Sequence, residues 1–508
     1  MKKIIEEYKK EIKSLITNPK YIIPIIFVAI LSYGFTITHH SIGVDDLCFD
    51  RYVSGTYILS AKRWGTWLLY NILNITEFSP FWLEFIVATF MVIIAVILSA
   101  FLKKQLKNET NIWGYVIFSS IFISNPIINH FFMYQSTNLS IVISNLLVII
   151  SAIIIMENYF GDKKIGIYAI SVLFLIISIS MYESCAQTYL VLLFMSIFIK
   201  LIKKENTKLF KYFCTGIGCL IIGILGYWII GQITLLILEK LGLKEINYAL
   251  TSSIWTNKKF WALPNYSKMN IINRLLFSPL IQDIMYYYPI KIFLLLGFIV
   301  LISELIKSYR TNQDNRLIIL LAIIFSNFIL VVVQVRLLYR VQFSWILTIA
   351  FLSLYIYKIF ENKKVIKNII NIIFVLLIIY QTRELNQIFY EDYKRYEKDK
   401  VVANEIAMDI VKNTDYKNKP IAYINILKNP CNTDNLDMQS IINWGTIAFN
   451  EKGTETTKFI NNLGYSFLTI SNEEYQKVKE QYKTLDEETK NKNIIELEDY
   501  IIVNLVKY

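Results

Sequence analysis

Apolar residues run in blocks of about twenty from residue 22 to residue 382, separated by short charged or polar segments, and that rhythm stops at Arg383. A block of ~20 apolar residues is the length a helix needs to cross a bilayer. The blocks predict eleven spans, near 21–40, 81–101, 112–132, 138–156, 166–182, 185–201, 213–238, 288–306, 317–335, 341–357 and 366–382. Residues 1–20 are patterned differently. Lys2, Lys3, Lys9, Lys10, Lys13 and Lys20 outnumber Glu6, Glu7 and Glu11, as in an amphipathic helix lying on a membrane surface. Beyond Arg383 a charged helix is expected over 391–411, with strands at 420–427, 465–470 and 500–505 and a further helix at 473–482. The fold class that follows is an all-α polytopic membrane protein of about eleven transmembrane helices with a small C-terminal α/β domain. Its segments are 1–20, 21–382 and 383–508, with long outer loops at 41–80 and 239–287.

Charge fixes the expected orientation. The 508 residues are 55% hydrophobic and only 18% charged, against ~25% in a soluble protein. The net charge is +12, yet from Arg383 onward 21 acidic residues outnumber 17 basic ones. With the N-terminus inside, the cytoplasmic segments collect 23 Lys and Arg, and every inner loop is basic. The outer loops before Arg383 hold 12 over far more residues. The basic balance therefore reports inner loops, not a nucleic-acid surface. It places the C-terminal domain on the outer side of the membrane. No cleavable leader is expected, because the first apolar run is long and no small-residue cleavage site follows it. The five cysteines show no metal-ligand spacing. Cys48, Cys185 and Cys431 fall on the outer side, where a disulfide could form, but spacing does not pair them.

Candidate chemistry gathers at the outer ends of the spans. All three histidines (His39, His40 and His130) lie there, as does the acid pair Asp45-Asp46 just after the first span. Ionisable groups at the edge of a membrane bundle point to function by default. Asp45, Asp46 and Glu183 are the candidate acid–base groups, although the pair could equally cap a helix and Glu183 could be a structural partner of Arg336 or Lys62. Arg336 and Arg340, four apart on one helical face, and Arg63 offer planar donor forks suited to phosphate. Snorkelling to headgroups is the plainer reading of such arginines. Trp64, His130, Tyr134, Gln135, Tyr182 and Gln187 are the candidates for holding a sugar and its acceptor. Outside the membrane nucleotide-activated donors are not expected, and a lipid-linked phosphosugar is the natural alternative. Its transfer needs a general base for the acceptor hydroxyl and cations for the departing phosphate.

Val44-Asp45-Asp46, followed by Arg63-Trp64-Gly65-Thr66-Trp67-Leu68 before the second span, resembles the bacterial type II O-antigen glucosyltransferase family over about residues 20–390. Tyr134-Gln135 and Tyr182-Glu183 are similar in position. The resemblance implies an integral membrane enzyme of the GT-C fold, moving glucose or another hexose from an undecaprenyl-phosphate sugar to a surface glycan with inversion. An Asp of the pair would be the base. The implied partners are the polyprenyl-phosphate donor, the glycan acceptor and the bilayer, with a small flippase acting upstream. Some GT-C enzymes use a divalent cation and others do not, so no metal ligand is carried over. A transporter or flippase for a lipid-linked saccharide is the alternative reading, and would call for charges near the bilayer midplane and repeat symmetry. A non-catalytic assembly protein working through its tail is a third. The tail itself has no Gly-rich phosphate loop and no His, and is assigned no chemistry.

Overall fold

The computed structural model describes residues 2–43, 46–48, 55–75, 79–107, 109–161, 164–205, 208–243, 288–311, 314–330, 339–425 and 453–508, with short pieces at 268–269, 273 and 427. Among the described residues nine helices are long and apolar enough to cross a membrane. Two shorter apolar helices, Ile165–Met181 and Asp314–Ser326, stand where two further spans are expected. The protein is therefore a predominantly helical polytopic membrane protein, with nine rather than eleven helices of full spanning length among those residues. The shortfall is one of length: one helix stops at the polar turn 182–184 and the other at Ser326, short of the expected 335.

The chain divides into two compact units. The first comprises Met1–Thr38, Arg51–Phe132 and Thr137–Gln387. Its helices pack through small residues and buried polar groups, as expected where lipid removes the hydrophobic drive for association. On the Leu209–Lys240 helix, a Cβ at Gly223 would meet Leu175 Cβ at 3.0 Å, and one at Gly226 would meet Ile176 Cδ1 at 2.5 Å. Glycine is what lets the Ile165–Met181 helix approach there. The expected span 112–132 is broken. Pro126 has no N–H to give, and the Asn125 side chain accepts from Ile127 N at 3.1 Å, so a 3₁₀ turn separates Ile112–Ile123 from Asn129–Phe132. The N-terminal helix Lys2–Ile16 is tied to the helices of the first unit. Tyr8 donates to Glu157 at 2.8 Å, Lys104 bridges Glu7 (2.7 Å) and Glu157 (2.8 Å), and Lys103 pairs with Glu11 at 3.0 Å.

The second unit comprises His39–Asp50, Met133–Ser136 and Ile388–Tyr508. It thus takes in the loop after the first span and a four-residue turn, besides the C-terminal region. Its sheet has four strands, β1 (Pro420–Ile424), β2 (Leu468–Thr469), β3 (Ile494–Glu496) and β4 (Ile501–Asn504), in the order β2-β1-β4-β3. β1 pairs parallel with β2 and β4, and β3 antiparallel with β4. Helix Asn472–Thr484 opens on a capping box in which Ser471 Oγ accepts from Glu474 N and the Glu474 carboxylate accepts from Ser471 N. It covers the sheet with Tyr475 and Val478, which pack with Ala422, Ile470 and Ile502. The charged helix expected over 391–411 and the last span form one helix, Lys364–Asn413. No Gly or Pro interrupts that stretch, and polar sequence alone does not end a helix.

Candidate functional site

The sequence candidates fall into two groups, one in each unit. In the first unit Arg63 precedes the helix Trp64–Ile72, which packs on the end of the Ile165–Met181 helix. Thr66 Oγ1 donates to Met181 O at 3.0 Å, and a Cβ at Gly65 would lie 2.1 Å from Ser180 Oγ. The Arg-Trp-Gly-Thr sequence is therefore a packing motif that aims Arg63. The Arg63 guanidinium sits 5.4 Å from the centre of the Tyr182 ring, a cation–π approach. Tyr182 in turn donates its hydroxyl to the Arg340 carbonyl at 3.2 Å. His130 packs against Tyr339 with ring centres 5.5 Å apart. Glu183 accepts a hydrogen bond from Tyr227, so its partner is a tyrosine hydroxyl that sequence reading did not single out. Its position is set by the turn between two apolar helices.

Gln187 is placed differently. Its Nε2, which has two protons to give, lies within donating distance of three acceptors, Asn327 O at 2.9 Å, Gln342 Oε1 at 3.1 Å and Ser344 Oγ at 2.7 Å, and its Oε1 accepts from Leu330 N at 3.1 Å. Both ends of the amide are engaged in joining segments of the first unit. Trp64 lies half-buried at the start of its helix. Arg336 lies outside the described residues. Cys185 is a free buried thiol that accepts from Ser178 Oγ at 2.9 Å. Cys48 and Cys431 carry no described side chain.

In the second unit the acid pair resolves into one described residue. Asp46 is buried and opens the 3₁₀ turn Asp46–Cys48. Its Oδ2 accepts from Gly43 N at 3.0 Å and its Oδ1 from Ser136 N at 2.8 Å. Ser136 lies in the first turn of the helix Gln135–Phe160. The carboxylate therefore sits where the helix dipole and open N–H groups favour negative charge. Gln135 Nε2 adds a bond to Ser41 O at 3.3 Å, and Tyr134 is buried beside it in the chain. Asp45 lies outside the described residues.

The loop leading to Asp46 rests on a buried ionic knot that sequence reading missed. Arg395 is 0% exposed. It donates from Nε to Asp392 at 2.9 Å, from Nη1 to Asp399 at 2.8 Å and from Nη2 to the Ile42 carbonyl at 3.1 Å. Ser41 Oγ donates to the other oxygen of Asp392. His39 meets Tyr393 edge-on at 5.3 Å, and His40 meets Tyr396 at 6.0 Å. Partial desolvation, with Lys400 nearby, holds the His40 imidazole below its usual pKa, against the opposing charge of Glu397. Both histidines serve here as ring contacts. A signal for the knot was present: Leu385, Ile388, Asp392, Arg395, Asp399, Ala403, Ile406 and Ile410 follow a helical stripe, and all are buried.

Among the described residues no three His, Cys, Asp or Glu side chains lie close enough together to hold a metal ion. No curated protein and no solved structure matches the chain. The family model for glucosyl transferase GtrII matches residues 34–357, a stretch that includes Asp45, Asp46, Arg63, Glu183, Arg336 and Arg340. That is well over half of the 508 residues, and the protein belongs to this family of glucosyl transferases.

Proposed function

We propose that the protein transfers a hexose, with glucose the first choice, from a polyprenyl-phosphate donor to a cell-surface glycan at the outer face of a bacterial cytoplasmic membrane, within a GT-C-like helical scaffold. The observation that carries this reading is the glucosyl transferase match over a stretch holding both acids and all three candidate arginines. In the proposed reaction Asp45 takes the proton of the acceptor hydroxyl as its oxygen attacks the anomeric carbon. The bond from that carbon to the phosphate oxygen breaks with inversion, and the electron pair stays on the polyprenyl phosphate. Arg63, Arg340 and Arg336 neutralise that phosphate. The approach of Arg63 to Tyr182, whose hydroxyl donates to the Arg340 backbone, supports a shared anion site.

Asp46 is proposed as a positioning group rather than the base, because its carboxylate already accepts from two backbone N–H groups. Gln187, engaged at both ends of its amide, is proposed to hold helices together rather than sugar. Tyr182, Trp64, Tyr134, Gln135 and His130 remain the proposed lining for sugar and acceptor, with Glu183 in support. Purified full-length protein in liposomes, given defined polyprenyl-phosphate hexoses and a glycan acceptor, should form a glycosidic product, and chelator arms report any need for a cation. Translocation of the lipid-linked sugar with no glycosidic product would overturn the reading. Reporter fusions at residue 508 test the proposed outer location of the C-terminus.

A further inference from the structure

We infer that Arg395, together with Asp392 and Asp399, is a positioning device that holds Ser41 and Ile42, the residues leading to the acid pair, so that the C-terminal region supports the proposed reaction. The inference deepens the proposed function and rests on its assignment of Asp45. Three observations carry it. First, Arg395 spends one N–H from each of its three nitrogens on a different acceptor: two carboxylates of its own helix and the carbonyl of Ile42. A planar fork can do this, whereas an ammonium group presents its donors from one point. Second, the described residues that flank positions 44 and 45 are themselves held. Ile42 and Ser41 are held by Arg395 and Asp392, and Gly43 N is fixed by the Asp46 carboxylate, itself anchored on Ser136 N. Third, the knot occupies core positions of the helix stripe that continues with Ala403, Ile406 and Ile410. Apolar side chains would fill such positions as well, and replacing a buried ion pair by well-packed apolar residues is often neutral for stability. What they would lose is the directional grip on the loop.

Arg395 lies beyond the family match, which ends at 357, whereas the loop it grips lies inside it. The knot is thus a feature that the matched stretch does not contain. As a positioning residue, Arg395 predicts a split between turnover and donor binding. Reaction geometry is sensitive to shifts of about 1 Å, which cost up to ~10²-fold in rate.

The test uses full-length protein in liposomes and three variants: Arg395→Lys, Ser41→Ala, and the apolar replacement Asp392→Leu/Arg395→Met/Asp399→Leu. The folded fraction of each is measured by size exclusion and thermal midpoint. The expected result is that the apolar replacement stays folded while kcat per folded molecule falls about 10- to 100-fold and KM for the polyprenyl-phosphate hexose changes little. Arg395→Lys should fall between it and wild type, and Ser41→Ala should show a smaller loss of the same kind. Within an Asp45→Asn background the apolar replacement should lower the residual rate no further. Loss that tracks the folded fraction, with wild-type kcat per folded molecule, would overturn the inference and leave the role of Asp45 standing. Full activity of Asp45→Asn would instead overturn the assignment of the base.

Discussion

Two buried polar knots, one in each unit, are built from opposite materials. Around Gln187 every group is neutral. Asn327 Nδ2 donates to Thr348 Oγ1 at 2.9 Å, Trp345 Nε1 donates to Asn327 O at 2.7 Å, and Gln187 links Asn327 with Gln342 and Ser344. Around Arg395 the groups are ionic, with one cation between two buried carboxylates. Neutral hydrogen bonds between membrane helices contribute modestly, about 0.6 kcal/mol each on average. Burying ions costs several kcal/mol apiece before pairing offsets it. The neutral knot therefore suits the task of holding helices together, whereas an ionic one is a poor choice for stability alone. Its worth lies in fixing a particular geometry, here that of Ser41 and Ile42 just before the acid pair.

The largest expected effect separates the acid from its support. Asp45→Asn should lower transfer by about 10²- to 10⁴-fold, the usual scale of general-base loss. The protein should still insert and migrate as a monodisperse species. Normal turnover by this variant would remove the reason for the ionic knot to exist. Next comes Arg395→Met alone, which leaves Asp392 and Asp399 buried without their cation. Such truncation costs ~3–5 kcal/mol, read as a fall in thermal midpoint and in yield of folded protein. A midpoint unchanged from wild type would show that water reaches these carboxylates and that the knot is not a buried ionic one.

The contrast also explains what the sequence could convey. The apolar blocks were legible because spanning a bilayer imposes length and hydropathy together, and among the described residues nine helices of full spanning length and two shorter apolar ones overlap those blocks. The strands expected at 420–427 and 500–505 were legible in part from their β-branched runs and stand at Pro420–Ile424 and Ile501–Asn504, whereas β3 is only Ile494–Glu496 and too brief to stand out. Arg395 was illegible for a different reason. It sits in Tyr390-Glu391-Asp392-Tyr393-Lys394-Arg395-Tyr396-Glu397-Lys398-Asp399, an alternation of charges that reads as a solvated face. Only its register with Leu385, Ile388 and Ile406 betrays that three of those charges occupy core positions. Gln187 poses the converse case. An amide near an outer span end reads as a ligand contact, and nothing local reveals that Asn327, Gln342 and Ser344, over a hundred positions later, fold back to it. Asp46 offered both a functional and a capping reading, and the helix whose N–H it meets begins at Gln135, far along the chain.

The neutral knot should respond more gently. Gln187→Leu removes the bonds to Asn327, Gln342 and Ser344 and strands the Leu330 amide, at a cost of ~1–3 kcal/mol. The thermal midpoint should fall while kcat per folded molecule stays near wild type. If turnover instead collapses with the midpoint intact, Gln187 touches substrate after all, and the division between a fastening knot and a positioning knot fails.

The smallest effect concerns protons, and only the ionic side should show it. The fold holds the His40 imidazole below its ordinary pKa through partial desolvation and Lys400, opposed by Glu397. A histidine whose folded pKa lies below its unfolded value favours the neutral form. Its contribution is therefore full above the unfolded pKa near 6.5 and is lost as pH falls from there through the folded value. Acidification from pH 7 towards pH 5 should lower the thermal midpoint of wild type slightly more than that of His40→Gln, in which the titrating ring is gone. The difference between the two curves isolates this one group from Lys400, Glu397 and the carboxylates around Arg395, which both proteins share. Superimposable curves would mean that His40 feels the same surroundings folded and unfolded, and that the contact with Tyr396 does not hold the loop. A parallel series on Gln187→Leu should show no such pH-dependent difference from wild type, because none of the groups described in that knot titrates in the range.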